Sequence, residues 1–82
     1  MAVLNPSTAK VITDTQLRQR AAAFSQSHPQ FTRAVGPYST SFHNNNMSIY
    51  ALAMGYNVIK DSGSGYHNVI DRSALVYRKS NS

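Results

Sequence analysis

With 82 residues, 41% of them hydrophobic and only 13% charged, the chain holds one domain or less, since short chains bury a smaller share of their surface and ordinary soluble domains are about a quarter charged. Eight Lys and Arg against three acidic residues leave a net charge of +5, a balance that attracts polyanions and phosphate-bearing ligands over long range. The absence of cysteine excludes disulfides, thiolate metal sites and a thiol nucleophile, and no apolar run approaches the roughly 18 residues of a membrane span.

The first residues, Ala2-Val3-Leu4, are apolar with no turn signal before them and read as a strand whose preceding hairpin is missing, as if the chain began inside a domain. A turn at Asn5-Pro6-Ser7 leads to a second short strand, Ala9 to Ile12. Thr13 or Asp14 then caps a helix over Thr15 to Gln26, whose Leu17, Ala21 and Phe24 fall on one face. From Ser27 to Asn45, Pro29, Gly36 and Pro37 interrupt any period, and a long loop is expected, anchored by Phe31, Val35, Tyr38 and Phe42. Loops of that length in compact domains are usually functional or partner-bound.

Asn46 or Asn45 caps a second helix, Met47 to Met54, with Ile49, Tyr50, Ala53 and Met54 as its apolar side and Gly55 as its stop. Tyr56 to Ile59 and Tyr66 to Ile70 flank the turn Asp61-Ser62-Gly63-Ser64-Gly65 and predict a hairpin. Tyr56 and Tyr66 are then either a cross-strand aromatic pair or a stacking surface. Ala74 to Tyr77 forms a last strand before a polar tail. The expected class is α+β with two short helices.

The run Ser48-Ile49-Tyr50-Ala51-Leu52-Ala53-Met54-Gly55-Tyr56-Asn57-Val58-Ile59, followed by Gly65-Tyr66-His67-Asn68-Val69-Ile70-Asp71-Arg72-Ser73-Ala74-Leu75-Val76, resembles the C-terminal part of bacterial and phage-type mono-ADP-ribosyltransferase toxin domains. The opening from Leu4-Asn5-Pro6 to Ala9-Lys10-Val11-Ile12 is similar to the strand pair that such domains set before a helix. Both matches together touch about half of the chain. The resemblance implies a partial split β-sandwich that grips NAD, exposes its bond to nicotinamide and passes ADP-ribose to a protein side chain. It also implies a secreted or cell-delivered toxin or effector with a target host protein. Because this chain would be only the C-terminal portion of the domain, an N-terminal segment or a second chain would complete it. Homo-oligomers through the edge of the first strand are a further expectation, and no membrane partner is.

An oxocarbenium-like centre forms at the ribose in this chemistry, so a carboxylate beside it stabilises positive charge and an arginine holds the pyrophosphate. On the resemblance, Asn68 falls near the place of the family's glutamate, with Tyr66 two positions earlier as a cofactor contact. An amide carries no negative charge. The three acidic residues are Asp14, Asp61 and Asp71, and glutamate is absent. Either Asp61 or Asp71 substitutes, or the carboxylate lies upstream, or transfer activity has been lost. Asp71 is the catalytic candidate beside Asn68. Arg72 is a candidate phosphate contact, or the partner of its neighbouring aspartate, and Tyr56 and Asp61 are candidates for recognising the target. Ser39-Thr40-Ser41 invites comparison with the family's Ser-Thr-Ser motif at the dinucleotide, although it sits in a loop-like region of a serine-rich chain. The arginine that grips NAD has no good counterpart, since Arg18 and Arg20 lie on a polar helix face.

A second function class is a basic nucleic-acid module, in which Arg18, Arg20, Arg33, Arg72, Arg78 and Lys79 meet phosphates while tyrosines stack on bases. The basic residues are scattered and form no single run. A third is an inactive structural derivative of the first fold. His28, His43 and His67 lack metal-ligand spacing, so no metal is expected.

Overall fold

In the computed structural model, which describes residues 2–77, the chain is α+β with three helices and seven short strands. The strands are β1 (Ala2–Leu4), β2 (Val11–Thr13), β3 (Thr40–Ser41), β4 (Asn44–Asn45), β5 (Val58–Lys60), β6 (His67–Val69) and β7 (Leu75–Tyr77). The helices are α1 (Asp14–Ser27), α2 (Pro29–Val35) and α3 (Met47–Ala53), and a 3-10 turn spans Arg72–Ala74. Arg78 and Lys79, proposed above as phosphate contacts, lie outside the described residues.

The central sheet has the order β2-β5-β6. β2 runs parallel to β5, with Val11 opposite Val58, and β5 is antiparallel to β6, with Ile59 opposite Asn68. The expected hairpin around Asp61 to Gly65 is present. The expected pairing of the first two strands is not: β1 pairs antiparallel with β7, Val3 opposite Val76. The Asn5 turn explains the difference, because the Asn5 carbonyl accepts from the N–H groups of Thr8 and Ala9 and starts a helical turn where a hairpin needs a reversal. Just before β2, the Lys10 carbonyl accepts from both Asn57 N and Val58 N. That double acceptance ties β2 to β5.

α1 begins as the sequence predicts, with the Thr13 hydroxyl accepting from Gln16 N at 3.1 Å, one of the four donors a helix leaves unpaired at its start. Leu17 and Ala21 are buried. The segment from Ser27 to Asn45 is not a loop. Pro29 opens α2 at a first-turn position and Gly36, at φ 87°, ends it, the N-terminal proline and C-terminal glycine asymmetry of short helices. β3 and β4 then form a hairpin around Phe42 and His43. Phe42 is not an anchor, since 93% of it is exposed.

α3 buries the expected stripe only in part, at Tyr50 and Met54 and not at Ile49 or Ala53. Tyr50 and Ala51 are fully buried and Met47 and Met54 pack against the core, while Ile49 is exposed. Positions 47, 50, 51 and 54 are the helical face that the sheet and α1 cover. The core is thin. It gathers Ile12, Leu17, Ala51 and Ile59, and an adjoining aromatic cluster, in contact with it through Tyr38, joins Tyr50 edge-on to Phe31 at 5.1 Å and to Tyr38 at 5.5 Å.

Candidate functional site

Two concave places stand out among the described residues. One is a cleft of about 180 Å³ lined by Asn45, Met47, Ser48, Ile59, Asn68 and Ile70. It forms because β4, the first turn of α3 and the outer strand β6 meet above one face of the sheet. Ile59 supplies its floor, and Asn68, opposite Ile59 in the ladder, supplies a polar wall. Asn45 shapes the far side: its side-chain oxygen accepts from Met47 N at 3.2 Å, and its backbone pairs with Thr40. The cleft is apolar at its base and offers amide and hydroxyl groups at its rim.

The other place is an open hollow of about 420 Å³ at the elbow between α1 and α2, lined by Ser27, His28, Pro29, Gln30 and Phe31. The imidazole of His28 stacks on Phe24 at 4.1 Å, and its Nδ1 lies within hydrogen-bond reach of Ser27 Oγ and of the Phe24 carbonyl. Reading this stretch as a loop concealed the elbow. Pro29 and Gly36, spaced as a helix start and stop, were the available signal.

Of the residues singled out from the sequence, Asn68 lines the smaller cleft. Ser39-Thr40-Ser41, whose last two residues are β3, adjoins it through the pair of Thr40 with Asn45. Its hydroxyls do local work, with Ser39 Oγ accepting from Ser41 N at 3.1 Å and Ser41 Oγ from Asn44 N at 3.3 Å. Asp71, Arg72, Tyr56, Asp61 and Tyr66 lie outside the lining of the cleft.

Asp71 caps the 3-10 turn by accepting from Ser73 N at 2.9 Å, and Arg72 is exposed on that turn. Asp61 folds the hairpin loop, its two carboxylate oxygens accepting from Gly63 N at 3.0 Å and from Ser64 Oγ at 2.8 Å. Tyr56 and Tyr66 are not a cross-strand pair. The ladder sets Tyr66 against Asp61, and Tyr56 receives Arg20, whose guanidinium lies 5.7 Å from the ring centre and donates to its hydroxyl.

Asp14 is likewise committed, accepting from Thr15 N at 2.9 Å and Ser62 N at 3.0 Å. Its carboxyl is held below the usual carboxylate range, first by the Ser62 hydroxyl and then by the Ser62 N–H. This bond tethers the hairpin loop to the start of α1. Tyr38 carries the other perturbed group. Burial pushes its phenol up, against the opposing influence of Arg18, and its enclosed hydroxyl has no hydrogen-bond partner among the described residues.

Two asparagines, Asn46, expected as a helix cap, and Asn57, within the run that carries the resemblance, make several side-chain hydrogen bonds each. Asn46, 3% exposed, does not cap α3 with its side chain. Its oxygen accepts from Ser39 N at 2.8 Å and its amide donates to the Pro37 carbonyl at 2.9 Å, clasping the bend that leads into β3. Asn57 accepts from Lys10 N and donates to the Thr8 carbonyl and to Ser73 Oγ.

Among the described residues no three His, Asp, Glu or Cys side chains gather closely enough to hold a metal ion, and no helix is long and apolar enough to cross a membrane. Comparison with protein-family models, curated proteins and solved structures finds no match to this chain.

Proposed function

We propose that the chain is the non-catalytic C-terminal section of a mono-ADP-ribosyltransferase-like domain, contributing one wall of an NAD cleft to an upstream segment or second chain that carries the chemistry. One observation carries this reading. The position that the resemblance gives to the catalytic acid is an asparagine at the rim of a cleft, while Asp14, Asp61 and Asp71 each have their carboxylates engaged by the backbone of a turn or helix start. Stabilising an oxocarbenium centre requires a carboxylate near the ribose. An amide does not supply that charge, but it does complement a carboxamide, donor to acceptor and acceptor to donor.

The volume of the cleft agrees with a partial site. Pockets that enclose a drug-sized ligand run to about 300 Å³ and above, so a cleft of about 180 Å³ takes one ring of a dinucleotide and leaves the rest to a complementing surface. Titrating the isotopically labelled chain with NAD tests the reading. Saturable shifts at Asn45, Met47, Ser48 and Asn68, weakened in Asn68→Ala, are expected, with no nicotinamide release until the upstream segment is added. Release of nicotinamide by the chain alone would overturn the non-catalytic role, and an unperturbed cleft would remove the NAD wall.

The basic nucleic-acid module keeps one observation in its favour: Phe42 and Tyr66 are 93% and 74% exposed on a chain of net charge +5, as base-stacking aromatics are. It predicts salt-sensitive binding of single-stranded DNA that is lost in Phe42→Ala and indifferent to NAD.

A further inference from the structure

We infer that the outer edge of β6 pairs with the same edge of a second copy of this chain about a two-fold axis at Asn68, and that each copy's Tyr66 covers the other's cleft. The inference stands on the sheet edge and not on the nucleotide reading, and because Tyr66 would then fill the cleft assigned above to a dinucleotide ring, the dimer and the nucleotide complex are alternative states of that site.

It starts from the hydrogen-bond pattern. Asp61 N donates to the Tyr66 carbonyl and Ile70 N donates to the Asn57 carbonyl, so the pairs 61/66 and 57/70 are bonded pairs of the β5-β6 ladder. Bonded and non-bonded pairs alternate in antiparallel strands, which makes 59/68 bonded and 58/69 and 60/67 non-bonded. The N–H and C=O groups of His67 and Val69 therefore face away from β5, along the free edge of the sheet. All three residues of β6 are exposed, and the strand has none of the usual edge protection of proline, lysine or a bulge.

An unprotected edge invites any extended strand, and the side-chain positions argue for this chain itself. About a two-fold at Asn68, His67 exchanges both backbone bonds with Val69 of the second copy, and Val69 does so with its His67. Asn68 meets Asn68 in the close, non-bonded position, where amide side chains bond across strands. The same register sets Tyr66 opposite Ile70. By the alternation of strand side chains, Tyr66, Asn68 and Ile70 share one face of the sheet. Asn68 and Ile70 line the cleft on that face, while Tyr66 is 74% exposed. The axis thus delivers the uncovered aromatic of one copy to the uncovered apolar hollow of the other, twice. The closed pair has one six-stranded sheet with β2 at both ends.

The net charge of +5 on each copy opposes association, and salt screens that repulsion with a Debye length of about 10 Å at 0.1 M. Dimerisation should therefore strengthen as salt rises, opposite to nucleic-acid binding.

The test is sedimentation equilibrium of the whole chain across concentration and at low and high salt. The expected result is a weak monomer–dimer equilibrium that shifts toward dimer with salt. Val69→Pro removes only an outward N–H, leaves every bond to β5 intact, and is expected to weaken the dimer by about tenfold or more, since the symmetric pair loses two hydrogen bonds. Tyr66→Ser changes an exposed side chain and is expected to weaken it comparably while the monomer stays folded by circular dichroism. A chain that remains monomeric at millimolar concentration and high salt overturns the inference. So does a dimer that both variants leave unchanged, because its contact then lies elsewhere.

Discussion

Tyr38 holds its hydroxyl inside the protein with no hydrogen-bond partner among the described residues, and the cost of such a group is the water it gave up. Its ring is well placed, edge-on to Tyr50 at 5.5 Å, so the aromatic contact and the polar atom pull in opposite directions. Tyr38→Phe keeps the ring and removes the stranded oxygen. It is expected to raise stability by about 1 kcal/mol, read as a higher urea midpoint with an unchanged slope. A lower midpoint would mean that the hydroxyl has an unseen partner. Tyr50, whose hydroxyl donates to the Gly36 carbonyl at 2.7 Å, shows the contrasting case of a buried phenol that is satisfied.

Between elements, the contact that matters most is Asn57. One side chain joins the turn before β2, the start of β5 and the 3-10 turn through Lys10 N, the Thr8 carbonyl and Ser73 Oγ. Asn57→Ala strands three polar groups at once and is expected to cost roughly 2–4 kcal/mol. Chemical denaturation checks this, and a loss under about 0.5 kcal/mol would show the side chain to be dispensable. Asn57 falls in the run that carries the resemblance, but its bonding role was not legible, because its partners are distant in sequence and are brought to it only by the fold. The elements that were legible were those with local grammar: the Thr13 cap, the Leu17 and Ala21 stripe, the Gly55 stop and the hairpin across Asp61 to Gly65. α2 has such grammar in Pro29 and Gly36, but polar residues around Phe31 hid its period. The parallel pairing of β2 with β5 has none. Of the cleft, Asn68 was legible through the resemblance, whereas Asn45, Met47 and Ser48 join it only by tertiary packing.

For the molecule as a whole, the shape is extended for its length. The radius of gyration is 14.3 Å, against about 12 Å for a compact domain of this size. Among the described residues eight hydrophobic residues are buried, and three of them, Ala21, Ala51 and Ala74, bring little apolar area. A core of this kind, without a disulfide, is expected to give the isolated monomer less than about 5 kcal/mol of stability. Urea unfolding measures it, and a clearly larger value would remove the argument that this fold needs a partner's surface.

The strand order β2-β5-β6 also bears on how the chain is made. Lys10 and Asn57, whose contact starts the parallel pairing, are 47 positions apart, and three helices and a hairpin lie between them. During synthesis β2 emerges long before the strand it needs, and it waits with Val11 and Ile12 in water. Closing so distant a contact is slow compared with forming a helix. Until β5 has been made the central sheet cannot close, and the packing that holds the helices against it has to wait for that same strand.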